Sequence, residues 1–181
     1  MIRHFNEKVS SCFKGTIIDI ESYGNFCRGF GDSREYKDIV PTIFGYINCD
    51  ELNVFCAEGD SALNELRTEI NGLAPTLERP LFAFNCCFEQ GVLYHSCAIN
   101  VIFDGELNKE RYEAKRQVVK ALGIPNYDDP FNDDGKFCVS AWLNGTYYQA
   151  IRHNRSCLLK ERDILLKRSY RQPEELVFVD L

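Results

Sequence analysis

The run Gly15-Thr16-Ile17-Ile18-Asp19-Ile20-Glu21 constrains this chain more than any other segment. Four of its seven residues are β-branched, which favours an extended strand. Ser22-Tyr23-Gly24-Asn25 supplies the turn that ends it. Side chains alternate along a strand, so Ile18 and Ile20 point into the core while Asp19 and Glu21 emerge together on the other face. Two carboxylates so close on an apolar strand disfavour each other's ionisation unless a cation lies between them. Oxygen donors in that arrangement suit hard divalent ions such as Mg²⁺ or Mn²⁺. The plainer alternative is a strand end whose acids face water.

The remainder of the sequence can bury such a strand. At 181 residues it is long enough for one domain around a single core, and no repeat, low-complexity tract or linker divides it. No stretch approaches the roughly 18 consecutive apolar residues of a membrane span, so no membrane partner is expected. Met1 to Lys14 mixes charge and polarity without an apolar signal core, so no export signal is expected. The nine cysteines include no CxxC pair, and a bond between the adjacent Cys86 and Cys87 would be strained. Reduced thiols used as small core residues are the simplest account, and they imply the cytoplasm.

The net charge of −6 argues against a nucleic-acid partner until its distribution is considered. Residues 150–172 carry seven Lys and Arg against two acids, a local +5 on a remainder of −11. Such a segment fits a phosphate-contacting surface or, more plainly, a solvated helix face.

Further strands are expected at Ile39–Ile47, Asn53–Ala57, Pro80–Phe84 and Ala98–Phe103, the last closed by Asp104-Gly105. Helices are expected at Ala62–Asn71, from Asn85 through Leu93, and at Leu107–Leu122, Phe137–Leu143 and Tyr147–Tyr170, the last open to a break near Asn154. The stretch Asn126–Gly135 reads as a polar, turn-rich loop, since Asp128-Asp129 and Asp133-Asp134 lack the EF-hand pattern. This order of elements predicts an α/β fold with a mixed sheet.

Three segments carry a resemblance. Ile17-Ile18-Asp19-Ile20-Glu21-Ser22-Tyr23-Gly24 resembles the first motif of the DEDD 3′–5′ exonuclease superfamily, an apolar strand bearing D-x-E before a hydroxyl residue and a glycine turn. Leu81-Phe82-Ala83-Phe84-Asn85-Cys86-Cys87-Phe88-Glu89 is similar to the second, where a strand ends in Asn and Phe plus an acid follow. Ile151-Arg152-His153-Asn154-Arg155-Ser156-Cys157 is similar to the third in the YprB-like branch, an aromatic or His, then Asn, with a metal-binding Asp four places after the first residue.

The resemblance implies a ribonuclease-H-like, five-stranded mixed sheet in the order 3-2-1-4-5 with strand 2 antiparallel. It also implies two Mg²⁺ or Mn²⁺ ions and hydrolysis of the terminal phosphodiester at the 3′ end of single-stranded DNA or RNA. Asp19 would bridge the ions, Glu21 would hold the nucleophile-side ion, and Glu89 would supply the second motif's carboxylate. His153 would orient or deprotonate the water, a role suited to a near-neutral pKa. Asn85 would hold the strand–helix turn beside the nucleic acid, and Phe26 would contact the terminal base.

The chain departs from the pattern twice. Glu89 stands where the second motif usually has Asp, and Cys157 stands at the third motif's Asp, a poor ligand for a hard ion. Glu161, one helical turn past Cys157 on the same face, is the candidate replacement, although its Cβ lies roughly 5–6 Å further along. Asp163 would face elsewhere. Tyr148 could stack on a base, and Arg152 and Arg155 could meet phosphates. His4 and His95 read as surface or hydrogen-bonded core residues. The alternative functions are a catalytically degenerate nucleic-acid-binding or interaction module of the same fold, or a small nucleotide or dinucleotide phosphodiesterase.

Overall fold

The computed structural model describes residues 1–111 and 113–179. Six strands are found among them: β1 Ile2–Lys8, β2 Thr16–Gly24, β3 Ile39–Ile47, β4 Glu51–Ala57, β5 Leu81–Ala83 and β6 Gly105–Glu106. They form one mixed sheet in the order β1-β4-β3-β2-β5-β6. β2 lies inside it, antiparallel to β3 and parallel to β5. Five helices flank the sheet: α1 Leu63–Leu73, α2 Cys86–Cys97, α3 Lys115–Ala121, α4 Gly135–Leu143 and α5 Tyr147–Arg168. The chain is therefore α/β with a mixed sheet, as the alternation of elements predicts.

Both faces of β2 are covered. Ile18 and Ile20 are fully or nearly fully buried on one side, as the alternation requires. α5 crosses β2, β3 and β4, and its approach depends on Gly45, the cross-strand partner of Asp19. A Cβ at Gly45 would lie 2.0 Å from Asn154 Oδ1, so any larger residue would push the helix off the sheet. Five of the six buried cysteines serve as small core residues, Cys157 lies on the wall of a cleft, and all nine are free thiols. Among the described residues no helix is long and apolar enough to cross a membrane.

Four expectations from the sequence need correction. The sheet has six strands, not five, because Ile2–Lys8 pairs antiparallel with β4 along its full length. That strand is legible only through its partner: its residues alternate between exposed and half-buried, as an edge strand's do. Ala98–Phe103 is not a strand, since the Val101 and Ile102 carbonyls accept hydrogen bonds from the Gln90 and Arg79 side chains instead of a neighbouring strand. The sixth strand is only Gly105–Glu106, which Arg171 joins by a pair of backbone hydrogen bonds of 2.9 Å.

Leu107–Leu122 is helical only from Lys115, because its first half is taken up by side-chain contacts. Arg168 bonds Leu107 O and Glu113, Arg171 bonds Asn108, and Glu113 accepts from Lys109 N at 2.7 Å. Finally, α5 runs unbroken through Asn154, whose side chain turns outward to β2 rather than competing for its own helix.

Candidate metal centre

Asp19 and Glu21 open onto a cleft of about 590 Å³, lined also by Phe26, Asn85, Glu89, Lys115, His153 and Cys157. Asp19 is nearly fully buried and held from two sides. Asn154 Nδ2 donates to its Oδ2 at 2.7 Å and to its backbone carbonyl at 3.2 Å. Lys115 Nζ donates to its Oδ1 at 2.9 Å. Burial disfavours the Asp19 carboxylate, but Lys115 outweighs it and holds the group below the usual carboxylate range.

Glu161 reaches this site. It is fully buried, in ion-pair contact with Lys115 and within hydrogen-bonding reach of Asp19. The continuity of α5 and the close approach permitted by Gly45 deliver it there, so the extra turn beyond Cys157 does not keep it away. Glu89, near the start of α2, is 4% exposed on the wall of the same cleft.

Four carboxyl groups and two cationic side chains thus share the region, and their electrostatics show a surplus of acid. Burial first, then the neighbouring Asp19 and Glu161, push Glu89 well above its ordinary pKa. Burial pushes Glu161 well above its ordinary value despite Lys115. Burial likewise raises Glu21 to about 7. Glu89 Oε2 has no hydrogen-bond partner, and Glu161 has only its acidic neighbour Asp19 and the Lys115 ion pair. Buried carboxyl oxygens without partners are rare and costly, and hard divalent cations are the ligands that use them. Oxygen donors of this kind are what Mg²⁺ or Mn²⁺ takes, but among the described residues no three of Asp19, Glu21, Glu89 and Glu161 bring ligand atoms within 4.8 Å of one another, so a shared ion requires their side chains to close on it.

His153 stands on the opposite side of Glu21, with Nε2 at 3.5 Å from Glu21 Oε1. Its Nδ1 meets Asp129 Oδ1 at 2.7 Å. Burial alone would depress this imidazole, but Cys157, Glu21 and Asp129 reverse the effect and push it up to about 12. This arrangement favours the protonated imidazole, which differs from the near-neutral base that the resemblance implies.

Asp129 is the residue that sequence reasoning misses. Read as part of a polar turn, it is 4% exposed and accepts from His153, from Lys160 Nζ at 2.7 Å, and from the Phe131 and Asp133 amides. Tyr127, Asp128, Asn132 and Asp133 all adopt left-handed backbone around it, a conformation that Asp129's bonds help hold in place. Lys115 is missed as well, because nothing before residue 115 signals that the helix begins there. No spacing rule links either residue to β2.

The nucleic-acid contacts expected from the sequence divide. Phe26 lines the cleft mouth, half exposed, with its ring against Tyr36 and Phe88. Asn85 lines it too, as the residue preceding α2. Tyr148, Arg152 and Arg155 instead line a separate pocket with Phe5 and Asp128. Helical geometry explains this, since positions 148, 152 and 155 make one stripe of α5 while 153, 154, 157, 160 and 161 make another.

The basic C-terminal segment is largely neutralised within the fold. Arg155 is bidentate to Glu7, Lys160 is buried on Asp129 and Asp133, and Arg168 and Arg171 pair with Glu113 and Glu106. Asp163 bonds Tyr127 and Arg162, away from the cleft. His4 and His95 are hydrogen-bonded to Asn53 and Ser33.

Comparison of the chain with protein-family models, curated proteins and solved structures found no match to any of them.

Proposed function

We propose that the chain is a divalent-metal-dependent 3′–5′ exonuclease that hydrolyses terminal phosphodiester bonds of single-stranded nucleic acid. One observation carries the reading: Asp19 and Glu21 on one strand share a cleft wall with Glu89, which keeps an unpartnered oxygen, and Glu161 is buried against Asp19. The strand order supports it. With the edge strand β1 set aside, the sheet reads β4-β3-β2-β5-β6, which corresponds to the ribonuclease-H-like order 3-2-1-4-5 with its second strand antiparallel.

Mg²⁺ or Mn²⁺ held by these carboxylates would supply Lewis-acid polarisation of the phosphate and a water made nucleophilic at neutral pH. The chain's own residues do the remainder. Asp19 is fixed by Asn154 and so keeps its orientation on the cleft floor. Glu21 holds His153 protonated while its charge is free; with that charge engaged by a cation, the imidazole can release its proton and serve as a base. Asp129 fixes the His153 ring so that Nε2 faces the cleft. Phe26 offers an exposed ring at the mouth for a terminal base to stack on.

A second reading rests on Lys115. Its ammonium lies between Asp19 and Glu161 and neutralises them without any metal, which favours a non-catalytic nucleic-acid-binding module. A 5′-labelled single-stranded DNA and its RNA counterpart, incubated with the chain and Mn²⁺, separate the two readings. The nuclease reading expects a descending ladder shortened from the 3′ end. Bound but intact oligonucleotide supports the module, and cleavage restricted to dimers supports a dinucleotide phosphodiesterase.

A further inference from the structure

Cys157 is the residue that fits the carboxylate site least, and its surroundings assign it another use. Among the described residues, one trio of potential ligand atoms lies mutually within 4.8 Å: a Glu21 carboxylate oxygen, His153 Nε2 and Cys157 Sγ. Two of its edges are set by the fold itself, 3.5 Å from Nε2 to Glu21 Oε1 and 3.7 Å from Nε2 to Sγ. A tetrahedral ion with Zn–N and Zn–O near 2.0–2.2 Å and Zn–S near 2.3 Å requires edges of about 3.4 Å and about 3.6 Å between those pairs. The observed edges match these within about 0.1 Å. The third edge, from Glu21 to Cys157, is no longer than 4.8 Å.

The supporting geometry is that of a metal site. His153 and Cys157 are four residues apart on one face of α5, so a rigid helix sets their separation. Glu21 comes from β2, the interior strand of the sheet. The far nitrogen of His153 is bonded to buried Asp129, the carboxylate–histidine arrangement that fixes the ring of a ligating imidazole and raises its basicity. All three ligands line the open cleft, which leaves the fourth position to water.

We propose that Glu21, His153 and Cys157 form a binding site for a thiophilic divalent ion of the zinc class, which shares Glu21 with the carboxylate set but draws its other ligands from the nitrogen and sulfur of α5. Binding releases the Cys157 thiol proton and the His153 Nε2 proton to solvent, so affinity rises with pH. A thiol-nucleophile triad of Cys157, His153 and Asp129 is the competing use of the same atoms. Burial disfavours it, since it pushes the thiol up where a nucleophile needs it down. The ion would also take His153 away from water, so under the nuclease reading zinc inhibits.

Co²⁺ added to the metal-free, reduced full chain tests the site without reference to activity. The expected result is a thiolate-to-cobalt charge-transfer band with visible bands of tetrahedral intensity, saturating at one ion per chain and bleached by one equivalent of Zn²⁺. Cys157→Ser should remove the band and weaken Zn²⁺ binding on the order of 100-fold or more, while Cys27→Ser, which alters the thiol beside Asp38, leaves both unchanged. X-ray absorption of the zinc-loaded wild-type chain needs no variant and should show one sulfur and otherwise nitrogen or oxygen neighbours. An absent cobalt band, a band that survives Cys157→Ser, or a zinc shell with no sulfur or with several overturns the proposal. Mn²⁺-dependent cleavage without the cobalt band would remove this site and leave the nuclease standing. The band in a chain that cleaves nothing would do the reverse.

Discussion

Lys160 and Lys115 are both held between two carboxylates, and they differ in what their surroundings leave unpaired. Lys160 is fully buried and donates to Asp129, Asp133 and Asn126, matching its three protons. Asp129 is engaged in turn by His153 and by the Phe131 and Asp133 amides. Lys115 is partly exposed, meets Asp19 and Glu161, and still leaves Glu89 Oε2 without a partner. A closed network rigidifies the loop between α3 and α4, whereas a network with surplus acid keeps a place for another cation. The same residue types thus build a strut in one place and, on the function proposed above, a receptor in the other.

The largest expected effect tests whether the surplus acid is functional. Asp19→Asn or Glu21→Gln should lower the cleavage rate on labelled single strands on the order of a thousandfold or more. Glu21→Gln should melt no lower than the parent at pH 7, which separates lost chemistry from lost fold. Activity within a few-fold of the parent would remove the metal centre as the seat of catalysis.

Next comes the closed network. Asp129→Asn removes the charge that neutralises buried Lys160 and orients His153, and should cost about 3–5 kcal/mol of stability. For a chain of this size that lowers the melting temperature by roughly 6–20 °C, read by calorimetry. A shift below about 2 °C would show that Lys160 does not depend on it.

The corresponding change in the open network should have the opposite sign. Glu89 is held well above its ordinary pKa by burial and by Asp19 and Glu161, so ionising it costs the folded state. Glu89→Gln removes that cost and should stabilise the metal-free chain by about 0.5–2 kcal/mol at neutral pH, while weakening the stabilisation that millimolar Mn²⁺ gives the parent. Destabilisation would place Glu89 among the structural residues.

The smallest effect is a slope with pH. Glu21 is raised from 4.5 to about 7, so the folded chain holds a proton there that the unfolded chain has already released. Between those values fewer protons bind the unfolded state, and the stability contributed by this group falls as pH rises through about 7. Denaturant titrations from pH 4.5 to 7.5 should show this fall in the parent, less of it in Glu21→Gln, and less again with Mn²⁺ present.

Much of this was legible in the residues. The β-branched run with alternating carboxylates predicts β2 and the face its acids take, and Asn85 and Gly123 punctuate the helices near where they begin and end. Legibility failed where a side chain intercepts the backbone. Val101 and Phe103 look like a strand, yet Gln90 and Arg79 take the carbonyls a sheet would need. Asp129 looks like a turn residue, yet it is buried by a helix that begins eighteen residues later in the chain, at Tyr147.

By itself the sequence determined the α/β class, the strand that carries Asp19 and Glu21, and the helix that carries His153, Cys157 and Glu161. Those follow from local periodicity, which requires only neighbours along the chain. Only the tertiary structure decided which charges meet. It brought Lys115 to Asp19, closed Asp129 over Lys160 and His153, and turned Arg152 and Arg155 away from the cleft. Pairings between charges far apart in sequence are set by how closely a helix can approach a sheet, and here a single missing side chain at Gly45 sets that distance.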